Sequence, residues 1–166
     1  MELFTVGYEG VQLPDLIDTL RVAGIEQIID VRRVPLSRKK GFSKSSLSAA
    51  LNLEGFEYFH LRDLGCPQFI RQHYKKHNDW DWYERHYEAF LDNNEELLMS
   101  LIALAETAPS CLMCFEADPI KCHRRLIASR AQKMSGEEFP IRHLFPGRKY
   151  SFKTRQVGFH QSCFAF

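Results

Sequence analysis

LMCFEADPIKCHRRLIA, residues 112–128, decides the fold of this chain. An apolar run ends at Glu116, the chain turns through Asp118-Pro119, and Cys122, His123, Arg124 and Arg125 follow where helical spacing begins. Side chains alternate faces along a strand and recur every three to four residues along a helix, so the change of period marks a junction. The stretch predicts a strand over 111–116, a short connection, and a helix over 121–134 that ends near Gly136.

The same unit recurs along the chain. Leu3 to Val6 reads as a short apolar strand stopped by Gly7. Leu13, Leu16, Ile17 and Leu20 lie at helical spacing over 13–23, with Pro14 and Asp15 in the first turn and Gly24 just past the end. Gln27 to Val31 is a second strand, and residues 32–42 read as a basic loop. Ser43 is placed to cap a helix running to Leu53, with Gly55 ending it. Phe56 to His60 is a third strand. A short helix follows around 69–76, then a helical stretch over 81–105 with a break near Asn93-Asn94. Pro140 to Leu144 is the last strand. Strands alternating with helices predict an α/β fold: a mostly parallel sheet of about five strands with helices on both faces, a Rossmann-like three-layer sandwich. No linker or repeat divides the chain, so residues 1–166 are expected to form a single domain. Residues 146–166 are read as a basic, aromatic tail.

Net charge is +1, so any electrostatic targeting must be local. No apolar run approaches the roughly 20 residues of a membrane span, and MELFTVGYEG lacks the layout of a signal peptide. A cytoplasmic protein without a membrane partner is expected. Five cysteines, an odd count, suit reduced thiols. Cys111 and Cys114 form a C-x-x-C, but residues three apart in a strand face opposite ways, which favours two packed thiols over a chelating pair. A cysteine-phosphatase loop would carry Arg six positions after its Cys; those positions after Cys114 and Cys122 are Ile120 and Ala128. There is no G-x-x-x-x-G-K-[ST], no G-x-G-x-x-G and no H-E-x-x-H. A nucleoside-triphosphate engine and a nicotinamide enzyme are therefore not expected.

In open parallel sheets ligands sit beyond the carboxyl ends of the strands. This rule gathers Tyr8, Glu9, Asp30, Arg32, Arg33, His60, Glu116 and Cys122 to Arg125 at one edge, with His143 from the last strand. Cys122, His123 and Arg124 are expected in the first helical turn, where free N–H groups and the dipole favour an anion and lower a thiol pKa. DVRRVPLSRKKGFSK, residues 30–44, holds six basic residues and one acid. Pro35 and Ser37 mark a defined turn there, which singles out Arg32 and Arg38. In HYKKHNDWDWYERHYEAF, residues 73–90, Tyr83, Tyr87 and Phe90 align at helical spacing, as core packing requires.

Strand-V-G-Y-E-G, then I-I-D-V-R-R-V-P-L-S-R-K-K-G-F-S, Y-F-H-L-R-D-L-G and L-M-C-F-E-A-D-P-I-K-C-H-R-R-L-I-A together resemble the family called domain of unknown function 488 over about residues 3–145. The resemblance implies an α/β fold. It marks Asp30, Arg32, Pro35, Ser37 and Arg38 in one motif, and Cys114, Glu116, Cys122, His123 and Arg124 in the other. Members often read G-H-S where this chain has Gly7-Tyr8-Glu9, and L-G-G where it has Leu64-Gly65-Cys66. The resemblance supplies no substrate.

These readings lead to an enzyme with a cationic, anion-binding site at the strand edge. Its partner would be a phosphate-bearing small molecule or nucleic acid, undergoing hydrolysis or group transfer. Asp30 or Glu116 would be base or nucleophile, Cys122 a candidate nucleophile, and His123 a proton donor or a polar clamp. Arg32, Ser37, Arg38 and Arg124 would bind the anion; Tyr8, Glu9 and His60 are possible ligand contacts. No cofactor is expected. The alternative is a non-catalytic nucleic-acid-binding module using the 32–44 loop, the aromatic helix and Arg148, Lys149, Lys153 and Arg155. A third reading, a metal site from Asp30, Glu116, Cys122 and His123, is disfavoured by adjacent Cys and His and by the nearby Arg. The sequence leaves the oligomeric state open.

Overall fold

The computed structural model describes residues 2–136 and 139–147. Five strands, β1 (Leu3–Gly7), β2 (Gln27–Asp30), β3 (Glu57–His60), β4 (Ser110–Cys114) and β5 (Ile141–Leu144), pair in the order β3-β2-β4-β1-β5, every pair parallel. Among the described residues six α-helices accompany them: α1 (Leu13–Val22), α2 (Lys44–Leu53), α3 (Gln68–His77), α4 (Trp80–Asp92), α5 (Glu95–Thr107) and α6 (His123–Ser135). The α/β sandwich with a parallel sheet is as the alternation predicts.

The two faces of the sheet bury separate cores. Leu16 and Leu20 of α1 and Leu47 and Leu51 of α2 cover Phe4, Val6, Ile28, Cys111 and Met113 on one side. Ile70, Tyr83, Tyr87, Leu91, Leu98, Leu101 and Leu126, from α3 to α6, cover Leu3, Ile29, Leu112 and Cys114 on the other. Cys111 and Cys114 thus lie on opposite faces, as strand alternation requires. Tyr83 and Tyr87 are buried and Phe90 packs against them, so the aromatic side of 73–90 is core. The expected break in the long helix falls at Asn93-Asn94, and the Asn94 amide nitrogen bonds back to the Phe90 carbonyl. No helix among the described residues is long and apolar enough to cross a membrane. The tail with Arg148, Lys149, Lys153 and Arg155 lies outside the described residues.

Connectivity places a crevice. The chain leaves β1 into α1 on one face and leaves β4 into α6 on the other, although β1 and β4 are neighbours. Loops that diverge in this way open a gap at the carboxyl ends of the two strands. Gly7 is what lets the diverging chains start so close. A Cβ there would lie 1.8 Å from the Glu116 carbonyl oxygen. Tyr8 N–H donates to the Cys114 carbonyl and Glu9 N–H to that of Phe115, at 3.3 and 2.8 Å.

Of the boundaries that differ from the sequence expectation, two bear on the site. β4 ends at Cys114, so Phe115 and Glu116 belong to the loop; Glu9 N–H takes the Phe115 carbonyl out of the strand ladder. α6 begins at His123, with Cys122 as its N-cap in extended conformation rather than inside the first turn.

Candidate functional site

The loop after β2 begins with a buried ion pair. Asp30, fully buried, takes Nε and Nη2 of Arg32 side-on, its closest contact being 2.6 Å to Nη2. It also accepts the Arg32 backbone N–H at 3.0 Å and the Tyr58 hydroxyl at 2.6 Å. Burial, reinforced by the Asp30 charge, pushes the Tyr58 phenol far above its ordinary range. The second guanidinium nitrogen, Nη1, donates to the Tyr8 hydroxyl at 2.9 Å and the Phe42 carbonyl at 2.8 Å. Tyr8 is stacked on Phe42 with ring centroids 4.4 Å apart. Asp30 and Arg32 therefore fasten the base of the loop to β1 and to the start of α2. Ser43, expected to cap α2, instead joins the loop to itself: its hydroxyl donates to the Ser37 carbonyl at 3.0 Å and accepts Ser37 N–H at 3.2 Å. Ser37 Oγ accepts Lys39 N–H at 3.2 Å.

The loop after β4 is fastened by Arg124. This side chain, fully buried, donates from Nε to Thr5 Oγ1 at 3.3 Å, from Nη2 to the Ala117 carbonyl at 3.0 Å, and from Nη1 to the Glu116 carbonyl. Its partners are backbone oxygens and a hydroxyl, not the carboxylates of Asp30 or Glu116, and it does not reach the cleft. Arg125 points elsewhere and pairs with Glu84 of α4 at 2.6 Å. Glu9 accepts Ala117 N–H at 3.1 Å. His60 Nε2 lies 2.9 Å from the Arg32 carbonyl, and His143 Nδ1 2.8 Å from Thr5 Oγ1.

Four side chains converge where these loops meet. Cys114 Sγ lies 2.9 Å from Glu116 Oε2, and Cys122 Sγ lies 3.1 Å from the same oxygen. His123 Nδ1 is 3.6 Å from Cys114 Sγ and 4.0 Å from Cys122 Sγ. His123 Nε2 lies 3.0 Å from the Val31 carbonyl. A carbonyl only accepts, so Nε2 carries the proton and Nδ1 faces the sulfurs. The ring is held edge-on to Tyr87 at 5.5 Å. Burial pushes the Cys114 thiol well up, and the neighbouring Cys122 and Glu116 add to this. Burial also opposes ionisation of Cys122. Hydrogen bonds from Cys114 and His123 and the charges of His123 and Arg124 outweigh it, so Cys122 falls well below the usual thiol range. His123 is disfavoured as a cation by burial, yet Cys122 and Glu116 bring it above its ordinary value. Glu116 is raised, chiefly by burial and then by Cys122.

A cleft of about 400 Å³ opens over this cluster. Cys114, Glu116 and His123 lie at one wall; Arg33, Arg38, Lys39 and Arg71 supply positive charge; Val34, Leu36 and Phe115 supply apolar surface. Tyr8, Arg32 and Ser37 also line it, whereas Asp30, Cys122, Arg124, Glu9, His60 and His143 do not. Arg33 pairs with Asp63 at 3.2 Å. Arg38 and Arg71 are exposed and form no ion pair with a carboxylate among the described residues.

Sequence reasoning misses Arg71 altogether, and finds Cys114 through the family motif alone. Arg71 comes from α3, on the face that carries the helix's polar residues, and nothing local distinguishes it from a solvated charge. Its place follows from Gly65, where a Cβ would lie 2.2 Å from the Arg33 backbone nitrogen; that close approach docks the start of α3 against the β2 loop. Strand alternation makes Cys114 a packed thiol and gives its face correctly, but its partners across the loop have no local signal.

A parallel sheet whose crevice lies at a reversal of connectivity, with charge and thiols at its carboxyl edge, defines a class of α/β protein built around an edge site. Within that class, the family model described as domain of unknown function DUF488 matches residues 12–131, and the chain belongs to this family. No curated protein and no solved structure matches the chain.

Proposed function

We propose that this protein is an enzyme that binds a phosphate-bearing ligand, a nucleotide or the end of a nucleic acid, in the cleft and carries out hydrolysis or group transfer on it. The observation that carries the reading is the pair Arg38 and Arg71, two cations lining one cleft without carboxylate partners among the described residues. Paired guanidinium groups match phosphate oxygens in charge and planar geometry. Exposed Val34, Leu36 and Phe115 in the same cleft offer apolar contact to a base or sugar. Of the carboxylates considered, Glu116 faces the cleft while Asp30 is committed to Arg32 and Tyr58, so Glu116 is the one placed to meet the ligand. Tyr83 and Tyr87, two of the aromatic residues on which a purely nucleic-acid-binding reading would rely, are buried.

Calorimetric titration with inorganic phosphate and with adenosine and uridine monophosphates tests the reading. Nucleotide should bind more tightly than phosphate, and Arg38→Ala and Arg71→Ala should each weaken it about tenfold or more, the scale of a charge-assisted hydrogen bond. Equal affinity in both folded variants and the wild type, or no binding to the wild type, overturns it.

A further inference from the structure

Cys114, Cys122 and His123, with the Glu116 carboxylate between the two sulfurs, make a set of donors of which the anion-binding reading uses Glu116 alone. We propose that these four side chains form a binding site for a divalent transition-metal ion of the zinc type, at the wall of the cleft. The site goes beyond the anion-binding reading and does not depend on it, since the ion needs no ligand in the cleft to bind.

Geometry supports the assignment first. One ligating atom from each residue lies within 4.8 Å of every other, so one ion could touch all four. Zinc–sulfur bonds of about 2.3 Å and zinc–nitrogen bonds of about 2.0 Å set sulfur and nitrogen about 3.5 Å apart across a tetrahedron. Cys114 Sγ and Cys122 Sγ stand 3.6 and 4.0 Å from His123 Nδ1. The carboxylate oxygen is closer to both sulfurs, at hydrogen-bond length. Glu116 is also the half-exposed member, so it has room to retract toward the cleft as the ion enters.

The surroundings of the four are those of a metal site. The Val31 carbonyl fixes His123 with Nδ1 inward, as the outer hydrogen bond of a ligating histidine does. Arg124 holds the carbonyls of Glu116 and Ala117, and Gly7 lets β1 press against the same peptide, so the loop carrying Glu116 is set before any ion arrives. Two thiolates and a carboxylate around a dication leave one negative charge, and the buried Arg124 guanidinium next to them offsets it. The Arg that makes a metal site look unfavourable in the sequence thus supports one. Asp30 takes no part. Its place is filled by Cys114, which strand alternation turns toward Cys122 and away from Cys111. Two sulfurs and an imidazole favour zinc over magnesium or calcium, which prefer all-oxygen shells.

Cobalt(II) alone is the probe. Full-length protein, treated with chelator and titrated with Co2+, should take up one equivalent and develop visible tetrahedral bands with near-ultraviolet thiolate charge transfer. Zn2+ should then abolish both. Cys114→Ser and Cys122→Ser should each remove the charge-transfer signal or weaken binding at least tenfold, while Cys66→Ser and Cys111→Ser should leave it intact. Should a site variant not fold, alkylation of the wild type followed by mass spectrometry decides: Zn2+ should protect Cys114 and Cys122 selectively. The proposal fails if the wild type gives no thiolate–cobalt band, if folded Cys114→Ser or Cys122→Ser keeps it at full strength and affinity, or if Zn2+ leaves their alkylation unchanged. Nucleotide titration of the chelated and the reloaded protein separates the two readings, because loss of either activity leaves the other measurable.

Discussion

The segments that follow β2 and β4 each supply a buried arginine but use their other charges differently. In each an arginine turns inward and is consumed by structure: Arg32, two residues past β2, by Asp30, Tyr8 and Phe42, and Arg124, in the first turn of α6, by Thr5 and two carbonyls. Beyond that point they diverge. The β2 loop extends outward and presents Arg38 and Lys39 to the cleft; the β4 loop folds back and presents Cys114, Glu116 and His123. A charge close to the buried sheet must be fully paired to exist there, whereas one farther along a loop stays hydrated and can meet a ligand. Burial against the sheet, more than residue type or place along the loop, sorts framework arginine from candidate ligand-binding arginine.

Breaking the inward half of this comparison should have the largest effect. Asp30→Ala leaves the Arg32 guanidinium buried without its anion and should cost about 3–5 kcal/mol of stability, read from denaturant unfolding. Arg124→Lys keeps the charge but loses the planar fork across Glu116 and Ala117. It should cost about 1–3 kcal/mol and leave nucleotide affinity of the folded protein unchanged; weakened affinity would return Arg124 to the ligand site. Gly7→Ala drives a Cβ into the Glu116 peptide and should cost about 1–3 kcal/mol, as overpacking does. On the outward half, Arg38→Ala and Arg71→Ala should move stability by no more than about 0.5 kcal/mol, so weaker nucleotide binding in either variant comes from the missing guanidinium and not from unfolding.

The smallest effect concerns pH. Burial and the charges of Arg124 and Arg125 hold the His143 imidazole below its ordinary value. The unfolded chain therefore takes up the proton first. Stability is retained above the unfolded value of about 6.5 and declines as pH falls toward the folded one. His143→Asn should flatten part of this acid-side decline, and superimposable stability–pH curves for variant and wild type would exclude His143 as a contributor.

The fold is largely legible in the sequence because its signals are local. Gly24 and Gly136 end helices at positive φ, Pro14 opens one, and the apolar strands are short and continuous as buried parallel strands are. The carboxyl-edge rule brings the right loops together. It does not tell buried from presented charge, since Arg32 and Arg38 look alike until Asp30 and Tyr8 are seen to enclose the first. Ser43 is recognisable as a helix-start residue, but the choice between its own helix and Ser37 depends on how the loop closes. Arg71 and the Cys114–Cys122 pairing depend on contacts between separate segments, set by close approaches at Gly65 and Gly7 that no local pattern displays.

The clamp made by Arg124 also bears on motion. It ties the first turn of α6 to the loop just before it, and through Thr5 to the interior strand β1, so these parts must open together or not at all. The opposite wall, 34–41, is held mainly by hydroxyl bonds between Ser37 and Ser43 and by Lys44 N–H on the Pro35 carbonyl, near the surface. Segments with few buried contacts open at low free-energy cost. The cleft therefore has one fixed jaw and one yielding jaw. Hydrogen exchange should report slow amides across 127–131, behind the clamped first turn of α6, and fast ones across 36–41, and a ligand's entry and exit would be timed by the second.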